Sequence, residues 1–557
     1  MHPNRRWEKL IQISPIDIPE GEQPRRRSRP GDAFSKSRPP RAWRAEGTIR
    51  VPSHNSCVTK GVIATPHKTA SEVGAEVLRE GGNAIDAVIA ANAVLCVVYP
   101  HMTSVGGDLM AIVWPAGAAE PVGLIGAGRS GELATIDAVR SRGHEVMPER
   151  GILTVTVPGT VEAWGRLVER FGTLGLGAVL EPAASLAADG YVITPQLSEF
   201  LKSGAELLSK EPAAHALYPP MEAGMLLRNP DLASVLRDLG RGGFNSFYRG
   251  EIAAAIASAI ARRDGLVTAL DLATHRSQWV EPLTMDYRGV RVYELPPPTQ
   301  GLAALAILAR LSGLPLEALQ PGPEFAAQLK RVRDECYPLR DRYITDPDFS
   351  VAPLEPFLNP GHVAAGGPGL REGGDTVYLC AADEHGNLVS LIQSVAFDFG
   401  SGIVAEGTGM LLQNRGSYFS LAPDHVNRLE PRKRTMHTLI PAMATRDGRP
   451  WAIFGTMGGD GQAQLQAQVL VNLVDHRLEP AEAVSRPRLR VLADGTRTSV
   501  EANYPRAGEL GRRDHDFVLM PPGHHSFGHA HAIVIDGPAA WRAGADPRSD
   551  GSVEFTT

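Results

Sequence analysis

The chain has 557 residues, of which 43% are hydrophobic and 21% charged, a composition typical of a globular protein with a sizeable core. Its formal charge of −6 argues against a general nucleic-acid-binding function, because such proteins are usually basic. The longest apolar run, from Ala84 to Tyr99, contains Asp86 and Asn92 and falls short of the ~18–20 residues that span a membrane. No membrane-spanning segment is therefore expected.

The N-terminal region differs from the rest of the chain. Across residues 1–48 Lys and Arg outnumber Asp and Glu eleven to six, and Pro is frequent. This pattern predicts a basic disordered leader over residues 1–58. The alternatives are a solvated tail, a start codon placed too far upstream, and a tether to an anionic surface or partner. The region has no apolar core of the kind found in secretory signals, so a cytoplasmic protein is expected.

The first predicted elements are two helices separated by a glycine pair. Ala70–Arg79 carries apolar residues at helical spacing, and Gly81-Gly82 ends it. Asn83 can cap a second helix, Ala84–Val98, whose small and β-branched residues suit a buried layer. Further helices are predicted over residues 159–171, 249–262 and 301–312.

The hydrophobic period changes in the second half of the chain. Thr376–Ala382 and Leu388–Ser394 read as two strands joined by a turn at His385-Gly386-Asn387, which predicts a hairpin. Strands are also predicted over residues 451–455 and 531–535. Helices, then strands, then helices indicate layered α/β packing with sheets between helices. The four cysteines (Cys57, Cys96, Cys336, Cys380) form no CxxC pair and read as buried thiols.

The step from Asp375 to Thr376 is a candidate processing site. A threonine hydroxyl is a weak nucleophile unless a base lies beside it. If the chain is cut before Thr376, the new α-amine has a pKa near ~8 and can act as that base. The same hydroxyl can attack the carbonyl of Asp375 to make the cut.

The surrounding motifs resemble one known family. The stretch GDTVYLCAADEHGNLVSLIQS, followed by FGSGIV and GTGMLLQNRGSYFS, is similar to the start of the small subunit of the γ-glutamyltransferase family. Upstream segments such as HKTASEVGAEVLREGGNAIDA, YPHMTSVGGD and ELPPPTQG, and downstream segments such as KRTMHTLIPA and GTMGGDGQAQ, extend the resemblance over most of residues 61–553.

The resemblance implies a fold and a way of maturing. It implies the four-layer αββα fold of N-terminal-nucleophile hydrolases, and one precursor that cuts itself into a large subunit, residues 59–375, and a small subunit, residues 376–557. It places Thr376 at the family nucleophile and Ser394 at the residue that orients the nucleophile's amine. It places Gly458-Gly459 at the oxyanion hole, where glycine allows close approach to backbone N–H groups.

The chain departs from the family where the substrate's amino-acid head group is held. The family has two acids before Phe-Ser, whereas this chain has Ser417-Tyr418. His437-Thr438 stand where the family has a serine pair, and Ala396 stands where the family has an asparagine. The family arginine that pairs with the α-carboxylate is represented by Arg129, displaced by about two residues. We therefore expect Arg129, Arg415, Tyr418, His437 and Thr438 to bind a planar or anionic acyl group that lacks an α-ammonium, because a buried ammonium without a carboxylate partner is costly.

Several functions remain open on these grounds. The leading prediction is a Thr-dependent hydrolase or acyltransferase acting on a small-molecule amide or activated carbonyl, without a cofactor. The alternatives are a true γ-glutamyltransferase or glutathione hydrolase, a carbon–carbon bond hydrolase of an antibiotic pathway, and an inactive homologue kept for binding.

Two further patterns receive structural interpretations. Five C-terminal histidines (His515, His524, His525, His529, His531) lack the spacing of an HExxH site, and no metal is expected. Gly106-Gly107 is interpreted as a turn rather than a phosphate loop, because no Lys-Ser/Thr follows it.

Overall fold

The computed structural model describes residues 60–359, 374–493, 495–513 and 516–557. The predicted basic leader and His515 lie outside the described residues, as does the segment 360–373 that precedes the candidate processing site. Residues Val58–Thr557 form one compact unit. Across the described ranges, no helix is both long enough and apolar enough to cross a membrane.

The strands in chain order are β1 (Gly61–Thr65), β2 (Asp108–Trp114), β3 (Val122–Gly126), β4 (Tyr191–Val192), β5 (Leu226–Leu227), β6 (Gln278–Val280), β7 (Leu283–Tyr287), β8 (Val290–Glu294), β9 (Asp375–Asp383), β10 (Leu388–Ala396), β11 (Val404–Ala405), β12 (Met410–Leu411), β13 (Ala442–Arg446), β14 (Arg449–Thr456), β15 (Leu489–Val491), β16 (Thr498–Glu501), β17 (Phe517–Met520), β18 (Ala530–Gly537), β19 (Ala540–Ala545) and β20 (Ser552–Thr556).

The helices in chain order are α1 (Lys68–Arg79), α2 (Ala84–Val98), α3 (Ile136–Arg140), α4 (Thr160–Phe171), α5 (Leu176–Asp189), α6 (Pro195–Ser203), α7 (Ala205–Ser209), α8 (Pro212–Leu217), α9 (Pro230–Gly242), α10 (Asn245–Arg249), α11 (Glu251–Ala261), α12 (Ala269–Thr274), α13 (Gly301–Ser312), α14 (Pro323–Tyr343), α15 (Glu355–Leu358), α16 (Gln462–Val474), α17 (Pro480–Ser485) and α18 (Ala507–Arg513).

Two large antiparallel sheets form the centre of the fold. The first has the strand order β20-β1-β9-β10-β2-β3-β6, and the second has the order β19-β18-β14-β13-β8-β7. Alternation along β9 shows how the sheets are buried. Val377, Leu379 and Ala381 pack in the core that contains α2, whereas Tyr378 and Cys380 pack against the second sheet.

The layers follow from the three main cores. One core joins α1, α2, α4 and α5 to the outer face of the first sheet, a second joins the inner faces of the two sheets, and a third joins the second sheet to α13, α14 and α16. Each sheet is thus covered by helices on one face and by the other sheet on the opposite face. The predicted four-layer αββα sandwich is confirmed.

The two predicted subunits share both sheets. The first sheet takes β1, β2, β3 and β6 from before Thr376 and β10 and β20 from after it, and the second sheet is divided in the same way. Strand pairs such as β2 with β10 run across this division with seven paired residues. A cut before Thr376 would therefore leave the two polypeptides joined through their sheets and cores.

Most predicted elements are present with small changes at their ends. The helix α2 begins and ends as predicted, and the Asn83 side chain accepts hydrogen bonds from the N–H groups of Ile85 and Asp86. The helix predicted over 249–262 corresponds to α11, which begins at Glu251 because Gly250 separates it from α10. Cys96, Cys336 and Cys380 are free and buried, as predicted, whereas Cys57 lies outside the described residues.

Candidate active site

Thr376 lies on β9 where the pairing with β10 is irregular. Val377 pairs with Gln393 and Asp375 pairs with Ala396, so two residues, Ser394 and Val395, face Thr376 across a β-bulge. Ala396 adopts φ 85°, a left-handed conformation that is strained for alanine. The Ser394 hydroxyl accepts a hydrogen bond of 2.7 Å from the Ala396 N–H and so closes this turn beside Thr376.

Close backbone contact explains the glycine pair at the start of β2. A Cβ on Gly107 would lie 2.4 Å from the carbonyl oxygen of Ser394, and a Cβ on Gly106 would lie 2.3 Å from that of Leu411. The loop before β2 can therefore pack directly on the Ser394 backbone only with glycine at these positions. This geometry agrees with the interpretation of Gly106-Gly107 as a structural turn.

Residues 458–461 join β14 to α16 and lie beside Gly374, next to the candidate processing site. We call them the oxyanion loop after the role that the resemblance implies for Gly458-Gly459. Gly458 and Gly459 have φ of 139° and 51°, and a Cβ on Gly374 would lie 2.8 Å from the Gly459 Cα. The Nε2 of Gln462, the first residue of α16, lies 3.5 Å from the Thr376 Oγ1. The positive end of the α16 dipole therefore faces the place where Thr376 would attack a carbonyl.

Arg415, Tyr418 and Thr438 form a buried group that we call the anion subsite. The Arg415 Nη1 donates to the Thr438 Oγ1 at 3.1 Å, and the guanidinium lies 5.2 Å from the Tyr418 ring centroid. Among the described residues, the Arg415 Nε and Nη2 and the Tyr418 hydroxyl have no hydrogen-bond partner. Burial lowers the pKa of Arg415 and raises that of Tyr418.

The anion subsite lies close to the scissile segment. A Cβ on Gly374 would lie 3.3 Å from the Tyr418 hydroxyl, which places Tyr418 beside the backbone that leads into Asp375 and Thr376. An unpaired donor inside a protein is costly, and a guanidinium without an acid partner is more so. A carboxylate on a ligand would relieve that cost.

His437 has a supporting position next to this subsite. Its Nδ1 accepts from the Leu439 N–H at 3.4 Å, and its Nε2 lies 3.2 Å from the Asp108 Oδ2. Burial lowers the pKa of His437 to about 4, so the ring is neutral at neutral pH. Because Nδ1 accepts a hydrogen bond, Nε2 carries the single ring proton and donates it as a hydrogen bond to Asp108. The other Asp108 oxygen accepts from the N–H groups of Gly128 and Gly159 and from Gln413.

The structure pairs the Arg129 guanidinium with two acids that do not belong to the anion subsite. Its Nη1 pairs with Asp346 at 2.6 Å and its Nη2 with Asp348 at 2.5 Å. It lines a cavity of about 390 Å³ together with Arg276, Arg432 and Arg434, and neither Thr376 nor Arg415 lines that cavity. Of the two arginines predicted to bind an anion, Arg415 is the one with buried donors, Nε and Nη2, that have no hydrogen-bond partner among the described residues.

Five buried histidines have ring nitrogens without hydrogen-bond partners among the described residues: His67, His101, His275, His529 and His531. Desolvation lowers the pKa of each of these histidines, to about 4 for His67, His275 and His531 and to about 3 for His529. Across the described ranges, no group of three or more His, Cys, Asp or Glu side chains is arranged to hold a metal ion.

The sequence reasoning missed several residues that hold the site together. Asp108, Gln300, Arg340 and Gln462 are all buried, and each contacts a segment distant in the chain. Asp108 and Gln300 belong to the motifs YPHMTSVGGD and ELPPPTQG. For Asp108 and Gln300, the only signal in the sequence was a polar residue inside a motif. Their hydrogen-bond partners are distant in the chain and are known only from the folded structure.

Comparison with known proteins agrees with this geometry. The family model for gamma-glutamyltranspeptidase matches residues 70–556. The glutathione hydrolase-like YwrD proenzyme of Bacillus subtilis is 36% identical over 89% of this chain and 98% of its own length, and the oxamate amidohydrolase proenzyme of Klebsiella pneumoniae is 35% identical over 90% and 99%. The crystal structure of a cephalosporin acylase from Bacillus halodurans is similar with a TM-score of 0.82 and 34% identity, covering 92% of this chain and 99% of that one. The names of these relatives describe hydrolases, amidohydrolases and acylases, several of them made as proenzymes, and this chain belongs to the γ-glutamyltranspeptidase family of N-terminal-nucleophile enzymes.

Proposed function

We propose that this enzyme cuts itself between Asp375 and Thr376 and then hydrolyses an amide whose acyl group carries a carboxylate but no α-ammonium. The observation that carries this proposal is the buried guanidinium of Arg415, whose Nε and Nη2 have no hydrogen-bond partner among the described residues, together with its neighbour Tyr418 beside Gly374. The Klebsiella pneumoniae relative is named for oxamate, an amide of this chemical class.

The proposed reaction has two steps at Thr376. The Oγ1 attacks the amide carbonyl while the free α-amine takes its proton, and the leaving amine departs with that proton. The N–H groups of Gly458 and Gly459 stabilise the negative oxygen, helped by the N-terminus of α16. Water then attacks the resulting ester and releases the acid.

Self-cleavage differs in the role of the Thr376 nitrogen, which in the precursor is still part of the scissile amide and cannot act as the base. The Oγ1 bonds to the Asp375 carbonyl as the bond to that nitrogen breaks, the hydroxyl proton ends on the nitrogen, and water then hydrolyses the ester. The carbonyl of Asp375 takes the place of the substrate carbonyl, and Gly374 fills the acyl side of the site next to Gly459 and Tyr418. The attacked carbonyl belongs to Asp375, so Gly374 marks the next position along the acyl chain, where the oxyanion loop and Tyr418 lie close to the backbone.

A γ-glutamyl group fits the charges of the site poorly. Asp460 belongs to the oxyanion loop; its Oδ1 is paired with the Arg340 Nη1 at 2.6 Å, and its Oδ2 has no hydrogen-bond partner among the described residues. The Asp108 carboxylate already accepts from four donors. A substrate ammonium would have to share these carboxylates with the cation and donors that already hold them, whereas a substrate carboxylate would meet the Arg415 Nε and Nη2, which have no partner among the described residues.

Two measurements test the proposal. On a denaturing gel, the purified protein should give two polypeptides, and the Thr376→Ala variant should give one. The mature enzyme should have a higher kcat/KM for glutaryl-p-nitroanilide than for γ-glutamyl-p-nitroanilide. A wide margin in favour of the glutamyl compound would identify the enzyme as an ordinary γ-glutamyltransferase instead.

A further inference from the structure

Gln300 joins the oxyanion loop to the anion subsite. We propose that it is a positioning residue that holds the two at a set distance, so that binding of the substrate anion brings the carbonyl to the oxyanion hole. This inference rests on the function proposed above for the same site. Gln300 lies at the start of α13, in the motif ELPPPTQG, and is fully buried.

The side-chain amide bridges the two parts directly. Its Nε2 donates to the carbonyl oxygen of Thr438 at 3.0 Å and to that of Gly459 at 3.1 Å. Thr438 holds Arg415 through its hydroxyl, and Gly459 belongs to the oxyanion loop. One NH₂ group therefore connects Thr438, which holds Arg415, with Gly459, whose N–H is expected to polarise the substrate carbonyl.

The orientation of the amide is fixed from the other side. Its Oε1 accepts from the Arg340 Nη1 at 3.2 Å. A flipped amide would place an oxygen against two carbonyl oxygens and an NH₂ group against a guanidinium, so only one orientation satisfies all three neighbours. The Gln300 backbone N–H also donates to the His437 carbonyl at 2.9 Å, which holds the segment before Thr438.

Three buried side chains hold the oxyanion loop through its carbonyl oxygens and through the Asp460 carboxylate. Tyr337 donates to the Asp460 carbonyl at 2.7 Å, and Arg340 pairs with the Asp460 side chain at 2.6 Å. Gln300 adds the bond to the Gly459 carbonyl. None of these bonds uses the N–H groups of Gly458 and Gly459. Tyr337 and Arg340 secure the loop to α14, whereas Gln300 alone among these three side chains also secures it to the anion subsite.

Loss of this bridge should disturb reactivity more than folding. Both carbonyls would remain on anchored segments, but their separation would no longer be set by a shared donor. A misplacement of about 1 Å in an active site can lower the rate ~10²-fold. We therefore expect Gln300→Met to lower kcat on the order of 10- to 100-fold.

A matched control is available on α16. Gln468 is also buried, donates through Nε2 to two carbonyl oxygens at 3.2 and 2.8 Å, and accepts at Oε1 from the Leu489 N–H at 3.1 Å. Gln468→Met thus removes the same number and kind of hydrogen bonds outside the site. Gln300→Glu supplies a second test variant, because it keeps the size and the contact with Arg340 but cannot donate when ionised.

Two readouts separate positioning from general destabilisation. The first is the rate of self-cleavage of the full-length precursor, which needs no substrate. The second is kcat and KM of the mature enzyme for glutaryl-p-nitroanilide and for valeryl-p-nitroanilide, which has a methyl group in place of the carboxylate. Both Gln300 variants should slow self-cleavage and lower kcat for both anilides at least 10-fold, and should raise KM for the glutaryl compound only. Gln468→Met should stay within about threefold of wild type on every readout, whatever its melting temperature.

The outcomes are distinguishable. If wild type neither cuts itself nor hydrolyses either anilide, the proposed function is wrong. If wild type is active and the Gln300 variants match Gln468→Met, Gln300 is only a structural residue and the inference is overturned. A KM that rises equally for both anilides would also overturn it, because the bridge to the anion subsite would then be without effect.

Discussion

Replacement of Arg415 by methionine should separate stability from activity. In the uncut chain, the guanidinium is buried and donates to Thr438 through Nη1, and its Nε and Nη2 have no partner among the described residues. Methionine has a similar length and needs no hydrogen bonds. We expect the Arg415→Met protein to be as stable as wild type or more stable, because replacing a buried uncompensated charge with an apolar side chain is often neutral or stabilising by ~1–4 kcal/mol.

The same change should strongly impair the use of an anionic substrate. A carboxylate bound to Nε and Nη2 makes two charge-assisted hydrogen bonds, each contributing about 1.5–3 kcal/mol. Their loss corresponds to about 3–5 kcal/mol, since bonds to one group are not fully additive, or roughly 10²- to 10³-fold or more in kcat/KM. For valeryl-p-nitroanilide, which has no carboxylate, we expect a change of less than about threefold.

The assay is steady-state hydrolysis of the two anilides, paired with thermal unfolding of both proteins. Arg129→Met is the matched control. Arg129 is paired with Asp346 and Asp348, which do not belong to the subsite, so this variant should lose stability and keep its preference for the glutaryl compound. The reasoning is refuted if Arg415→Met reduces kcat/KM equally for both anilides, or if Arg129→Met is the variant that loses discrimination.

Three further predictions concern maturation, the oxyanion loop and pH. The Thr376→Ala precursor should remain a single chain after prolonged incubation, and a cut at the same bond would exclude Thr376 as the nucleophile. Gly459→Val should lower turnover ~10²–10³-fold, because Gly374 and the substrate approach this backbone closely; Gly448→Val, which has a similar φ of 72° but open space around it, should retain activity. Stability should fall on acidification below pH 6.5, because His67, His529 and His531 have folded-state pKa values of about 4, 3 and 4, below the ordinary value of 6.5, so the unfolded chain binds protons first.

The pH prediction has a defined sign and window. Stability from these neutral histidines is fully present above pH 6.5 and is lost as the pH falls toward 4, by up to about 1.4 kcal/mol per pH unit for each histidine. The measurement is the denaturant midpoint between pH 7.5 and 4.5. A His101→Gln variant should show a shallower decline than wild type, since desolvation also lowers the pKa of His101. A flat profile for wild type would contradict the assignment of these histidines as neutral.

Local signals were sufficient for much of the fold. The cap at Asn83 and the apolar run to Val98 depend on neighbours within a few residues, and α2 has the predicted bounds. The β9–β10 hairpin likewise follows from alternating residues on either side of a short turn. A predicted helix boundary was displaced where a glycine interrupts an apolar helical pattern: α11 begins after Gly250, which separates it from α10.

The arrangement of the site was only partly accessible from the sequence. Motif order placed Thr376, Ser394 and the Gly458-Gly459 pair in one family site, and the fold brings their segments together. The roles of the two arginines could not be read in the same way. Both guanidiniums are charged and flexible, and each looks suited to an anion until its neighbours are known.

By itself, the sequence determined the family, the order of helices and strands, the candidate nucleophile, and the absence of the family's acidic pair at Ser417-Tyr418. Only the tertiary structure decided which arginine keeps free donors, because Asp346 and Asp348 reach Arg129 from more than two hundred residues away. It also revealed that Gln300 bridges Thr438 and Gly459. The physical reason is that charge compensation and hydrogen-bond satisfaction depend on contacts made when the two sheets stack, and local sequence patterns do not encode those contacts.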